Sequence, residues 1–161
     1  MSQVKDRTVR RKVEPVVERP SWDDYFLTIA HAVSTRASCS RRQVGAVIVD
    51  DEHRIVSTGY NGAAPGLDDC LAGACPRGRL DAVAPDSDYD HPGTPGYCIA
   101  AHAEANALLF ARRDLRACRI YITHAPCPGC TKLLAAAGIA RAYWPGGSCE
   151  PRAEITSRRD E

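Results

Sequence analysis

Two segments, CIAAHAEANALLFARR at 98–113 and PCPGCTKLLAAAG at 126–138, are Ala- and Leu-rich enough to pack as helices, yet each carries at its front edge residues a core has little use for. These are His102 and Glu104 in the first and Cys127 and Cys130 in the second, and the β-branched run CRIYITH at 118–124 lies between the segments. Residues two apart on a helix are separated by about 200°, so His102 and Glu104 cannot address one target beside the helix; they share one lying off its N-terminal end. Pro128 is tolerated in the first turn of the second helix, where its missing N–H would have been unbonded, and Gly138 is a stop signal. The chain must therefore bring two helix starts to one point, with a strand between them.

The remaining elements follow from local signals. Ser21 fits an N-cap with Asp23 and Asp24 in the first turn, and Trp22, Phe26, Ile29 and Val33 recur at helical spacing through WDDYFLTIAHAVSTRA. QVGAVIVD and RIVSTGY, separated by DEH, read as a hairpin of two strands, and ARAYWPGG as a fourth strand. Strand, helix, strand, helix, strand implies a partly parallel sheet covered by helices, an α/β protein. Residues 1–20 carry six basic side chains against three acidic ones and read as a disordered arm. Residues 21–147 form the single domain that 161 residues allow, and 148–161 read as a polar, frayed tail. Between Asn61 and Tyr97 the chain holds five prolines and six glycines, and a structureless loop of that length inside a small domain calls for something to fasten it.

Composition narrows the functional class. A formal charge of +1 gives no basic field for holding a long nucleic acid, which favours a small ligand. No run approaches eighteen apolar residues and the N-terminus lacks the apolar centre of a signal peptide, so a soluble cytoplasmic protein with no membrane partner is expected. Eight cysteines are many for that compartment, where disulfides are kept reduced, and metal binding is the leading explanation.

A catalytic zinc takes three protein ligands and leaves a position for water, and His102, Cys127 and Cys130 supply such a set. Helix N-termini favour thiolates over thiols at the two cysteines. Zinc lowers the pKa of bound water from roughly 15.7 to about 7, and Glu104, with no ligand position left to fill, would act alternately as base and acid. H-x-E followed by P-C-x-x-C is the signature of zinc-dependent nucleobase deaminases. Taken alone, CPGC would suit a redox pair or half of a structural zinc site, His102 a core histidine, and Glu104 a solvated first-turn acid; their combination at consecutive helix starts disfavours those readings.

The motifs CSRRQVGAVIVDDEHRIVSTGYNGAAPGLDDC, GAC, YCIAAHAEANAL and THAPCPGCTKLL together resemble the deoxycytidylate (dCMP) deaminases, particularly the bacterial competence-operon type, over about residues 22–145. The resemblance implies the cytidine deaminase fold, a three-layer α/β/α arrangement around a mixed central sheet, shortened here at the C-terminus. It implies conversion of dCMP to dUMP with release of ammonia, by a homo-oligomer with dCTP and dTTP as possible effectors. By position, His102, Cys127 and Cys130 become the catalytic Zn2+ ligands and Glu104 the proton shuttle. Asn61 becomes a contact to the nucleotide sugar, the Ala103 backbone a donor to the pyrimidine O2, and Thr123 to Ala125 the segment where the amine leaves. Bacterial relatives carry cysteines at the places of Cys39, Cys70, Cys75 and Cys98, which look like a second, structural zinc site fastening the 61–97 loop. Arg41 and Arg42 are the basic candidates for a phosphate contact, whereas Cys118 and Cys149 read as a small apolar residue and a free thiol on the tail. The competing readings are a deaminase of dCTP or a 5-substituted dCMP, an editor of RNA, which would show a basic groove with stacking aromatics, and a non-catalytic zinc or redox module.

Overall fold

The computed structural model describes residues 18–83 and 89–157, so most of the N-terminal arm expected at 1–20 lies outside the described residues. Ser21 caps the first helix, α1 (Trp22–Ser34), its side chain accepting from the Asp24 N–H at 3.1 Å. The hairpin forms as β1 (Gly45–Val49) and β2 (Ile55–Tyr60), followed by α2 (Ala103–Phe110), β3 (Arg119–Ile122), α3 (Pro128–Ala137) and β4 (Arg141–Trp144). The sheet runs β2-β1-β3-β4 and then one further strand; β3 and β4 are parallel and the other neighbours antiparallel.

Alternation along β1 and β3 divides the core between two faces. Val47, Val49 and Tyr121 pack with Phe26 and Ala30 of α1, whereas Ala46, Ile48, Ile120 and Ile122 pack with Ala103, Ala107 and Leu134 of α2 and α3. Helix, sheet and helix therefore form three layers, the architecture expected. Two glycines set the closeness of those layers. A Cβ on Gly45 would lie 2.1 Å from the Ala30 carbonyl oxygen, and one on Gly59 would lie 2.2 Å from that of Ala103, so both positions exclude any larger residue. Gly59 in particular lets the first turn of α2 sit directly on the sheet.

Three expectations are corrected. The frayed tail at 148–161 is instead ordered as far as Ser157: β5 (Gly147–Cys149) pairs antiparallel with β4, and α4 (Pro151–Ser157) packs on α3 with Pro151 buried. Residues 158–161 lie outside the described residues. Cys149 accordingly ends a strand rather than hanging free. The helix expected from the 98–113 stretch begins only at Ala103, because Ala101 is taken by a bridge to Gly62, with both N–H groups donating across it at 3.2 and 2.9 Å. Trp22 leaves the apolar stripe of α1, being 54% exposed and stacked on His53 at 4.3 Å; Phe26 and Ala30 carry the burial. Between Asn61 and Tyr97 the described residues hold one turn of 3-10 helix, Arg77–Arg79, and no strand.

Candidate metal centre and substrate cavity

His102 occupies the N-cap of α2 with extended backbone (φ −71°, ψ 154°), and Cys127 occupies the N-cap of α3 in nearly the same conformation (φ −70°, ψ 163°). Both side chains therefore leave the chain just ahead of a helix, as the sequence argument required. Cys130 follows one turn later and its N–H donates to the Cys127 sulfur at 3.4 Å. The His102 Nδ1 lies 3.6 Å from the Cys127 Sγ and 3.4 Å from the Cys130 Sγ. Tetrahedral zinc with N and S ligands at about 2.05 and 2.3 Å requires N···S separations of about 3.6 Å. The three donors thus fit a tetrahedral ion without rearrangement. Among the described residues they are the one group of three or more His, Cys, Asp and Glu whose ligand atoms all lie within 4.8 Å of one another.

The charges are arranged to suit a cation. Hydrogen bonds from the Cys130 thiol, His102 and Tyr89 outweigh burial and hold the Cys127 thiol down to about 3, making it a thiolate at neutral pH. The Cys130 thiol is pushed up, first by Cys127 and then by burial. The hydrogen bond to Cys127 raises the His102 imidazole against the opposing effect of burial. Glu104, 4% exposed on the first turn of α2, has its carboxyl pushed up by burial, partly offset by its own backbone N–H and by His102.

His102, Glu104 and Cys127 line a cavity of about 620 Å³. Ala103 and Asn61 line it with Glu104, as expected, and both are buried. The Asn61 amide is already engaged with the backbone, accepting from the Val44 N–H and donating to the Arg42 carbonyl, each at 2.8 Å. Thr123 does not reach the cavity: its buried hydroxyl accepts from the Gly45 N–H at 3.2 Å, and the wall is made by His124 and Ala125. Arg41 and Arg42 both line the cavity but differ in what they do. Arg41 donates to the carbonyls of Arg77 and Leu80, tying down the long loop. Arg42 lines the cavity near His124, whose imidazole is held down by burial first and by Arg42 second.

Cys39, Cys70, Cys75 and Cys98 all line the same cavity, but no three of their sulfurs lie within 4.8 Å of one another. Cys75 interacts with both Cys70 and Cys98, and Cys39 is close enough to act on both of the latter electrostatically. The Arg42 N–H donates to the Cys39 sulfur at 3.5 Å, and the backbone N–H of Ser40, those of Gly78 and Ile99, and that of Ala100 act to lower the thiols of Cys70, Cys75 and Cys98 respectively. Burial pushes the Cys70 thiol up to about 12 and raises that of Cys98; at Cys75 the N–H donors overcome burial and lower it.

Sequence reasoning missed Tyr89 as a cavity residue and had His124 only as part of the 123–125 segment. Tyr89 lies in SDYDHPG, where no periodicity marks it; the available signal was one aromatic in a stretch otherwise poor in anchors. His124 was in view, two residues ahead of PCPGC, but only the end of β3 determines that it faces the cavity.

Comparison with known proteins agrees with this geometry. The chain is 48% identical over 130 residues to the deoxycytidylate deaminase of Mycobacterium phage D29, covering 80% of this chain and 98% of that one. It is 35% identical over 132 residues to ComE operon protein 2 of Bacillus subtilis, spanning 80% of this chain and 61% of that relative's length. Among solved structures, the dCMP deaminase of cyanophage S-TIM5 in complex with dCMP and dUMP superposes with a TM-score of 0.59 at 25% identity, over 80% of this chain and 83% of that one. Residues 20–145 match the model of the cytidine and deoxycytidylate deaminase zinc-binding region, and the chain belongs to that family.

Proposed function

We infer that this chain is a zinc-dependent enzyme that deaminates dCMP hydrolytically to dUMP, releasing ammonia. The observation that carries the reading is the His102, Cys127, Cys130 triangle, spaced for a tetrahedral ion, with the buried Glu104 carboxyl beside it at the base of a nucleotide-sized cavity. Its relatives named deoxycytidylate deaminase support the substrate. His102, Cys127 and Cys130 would hold the zinc, which when bound supplies a Lewis acid that lowers the pKa of water into the neutral range.

Glu104 handles the protons. Its carboxylate takes one from the attacking water and gives it to the pyrimidine N3. As the C4–O bond forms it moves the second proton to the exocyclic amine, the C4–N bond breaks, and ammonia leaves. A raised carboxyl pKa suits both halves of this cycle, because the group must release each proton it accepts. The Ala103 N–H, at the start of α2 where helix N–H groups lack intrahelical partners, is the candidate donor to O2. Asn61 is the candidate for the sugar, His124 and Ala125 are the candidates to border the departing amine, and Arg42 is the candidate for the phosphate, since the Arg41 guanidinium is engaged with loop carbonyls.

The four cysteines lining one cavity support a second, structural zinc: a cation there would offset the burial that raises the Cys70 and Cys98 thiols and would add to the backbone N–H groups that already lower Cys75. Metal analysis giving two zinc ions per chain supports this site, and one removes it. Homo-oligomeric assembly, and dCTP and dTTP as effectors, come from the family resemblance, and cytoplasmic location from the reading of the sequence; no helix among the described residues is long and apolar enough to cross a membrane. Sedimentation with and without each triphosphate tests assembly and effectors together. Ammonia release from dCMP, dCTP, 5-substituted dCMP, CMP and deoxycytidine tests the substrate. Preference for dCMP is the expected result, and activity on the free nucleoside alone overturns it.

A further inference from the structure

The long loop sends one side chain into the metal centre. Tyr89 lines the cavity, its ring centroid 5.3 Å from that of His102 with the planes tilted by 31°, and its phenol neighbours the Cys127 thiol. The Arg77 guanidinium carbon lies 5.8 Å from the centre of the tyrosine ring. The Tyr89 carbonyl accepts from the Cys98 N–H at 2.9 Å, which fastens the tyrosine to the four-cysteine corner. A phenol whose ring lies against one metal donor and whose hydroxyl is near another is placed to restrain both.

We propose that Tyr89 is a positioning residue for the catalytic metal centre, its hydroxyl donating to the Cys127 sulfur while its ring holds the His102 imidazole in place. This rests on the zinc reading given above. The O–H···S bond draws electron density from the thiolate and fixes its direction, and contact with the ring narrows the swing of the imidazole. Groups that orient metal ligands in this way are worth roughly 10- to 100-fold in metal affinity or activity. Because Tyr89 is also bonded to Cys98, the order of the 61–97 loop is transmitted to the ligand set through one residue.

The test uses the purified full-length chain and the variants Tyr89→Phe, which removes only the hydroxyl, and Tyr89→Leu, which removes the ring as well. Zinc transfer to a chromophoric chelator is followed with time, the catalytic site being the release phase that is missing in Cys127→Ser. Tyr89→Phe is expected to accelerate that phase about tenfold and Tyr89→Leu further. In the cobalt-substituted protein, loss of the O–H···S bond leaves the sulfur electrons easier to move, so the thiolate-to-metal absorption band shifts to longer wavelength. Wild-type release rates and an unmoved band in Tyr89→Phe overturn the proposal; should Tyr89→Leu fail to fold, Tyr89→Phe decides alone. Faster release from Tyr89→Phe in a chain inert on dCMP upholds Tyr89 and overturns the substrate. Unchanged release in a chain active on dCMP overturns Tyr89 alone.

Discussion

Replacing the Glu104 carboxyl with an amide changes one atom's chemistry at a site that keeps its shape. Glu104→Gln retains the volume of a side chain that is 4% exposed and removes the proton shuttle. Zinc content is expected to stay at the wild-type value while kcat for dCMP falls about 10²- to 10⁴-fold, measured by ammonia release beside metal analysis; retained turnover would remove Glu104 from the reaction. Arg42 gives the complementary test of binding. A charge-assisted hydrogen bond to phosphate is worth about 1.5–3 kcal/mol, so Arg42→Ala should raise KM for dCMP roughly ten- to a hundredfold and leave deoxycytidine kinetics unchanged. Glu104 could be named from sequence because motif and spacing select it, whereas Arg42 could be named only together with Arg41, as a basic residue beside the first strand. Arg41 could not be separated from Arg42 in that way: the two are adjacent and chemically alike, and only the path of the 61–97 loop gives Arg41 two carbonyls to hold. Tyr89 was invisible for the same reason, since its partners His102 and Cys127 come from elements far along the chain.

Among the elements, the β1–β2 hairpin owes its turn to Asp50, whose Oδ1 accepts from the N–H groups of Glu52 and Arg54 at 3.1 and 2.9 Å while Oδ2 accepts from Arg113 at 3.1 Å. The Arg54 N–H is the main cause of a carboxyl held below its usual range, opposed by burial and helped by Arg113. A pKa that is lower folded than unfolded stabilises the fold above the unfolded value, and that stabilisation is lost as pH falls through the folded one. Asp50→Ala should therefore lower Tm at neutral pH, and the gap to wild type should narrow as pH falls below the ordinary carboxylate range near 3.8. A gap that stays constant across a thermal-melt pH series would assign the effect to packing instead. The hairpin was legible because β-branched runs flank a polar turn. Strand β5 and α4 were not: GSC and PRAEITS are short and polar, and what orders them is contact with neighbours, with β5 paired to β4 and Pro151 buried against the rest.

In the whole molecule, the two cysteine sets stand on different foundations. His102, Cys127 and Cys130 hang from α2 and α3, which are seated on a sheet whose central strands are fully buried, so the sheet and its helices do not depend on a metal for their core. The loop from 61 to 97 is otherwise placed: Leu67 and Leu71 are exposed, Cys75 and Gly96 are buried, and little apolar surface ties the described part of it down. The three-layer architecture was readable from the order of strands and helices, whereas the way the loop folds back over the cavity depends on non-local bonds such as those of Arg41 and Cys98. Stripping metal with a chelator should therefore abolish turnover while leaving β1 and β3 as slow to exchange amide hydrogens as in the loaded protein. Faster exchange should be confined to the 61–97 loop, because a closed cysteine site contributes its binding free energy to the segment it fastens. Hydrogen exchange read by mass spectrometry separates the outcomes. Exchange spreading into the sheet would make the metal a condition of the whole fold, and exchange unchanged in the loop would mean that Cys39, Cys70, Cys75 and Cys98 hold it without an ion.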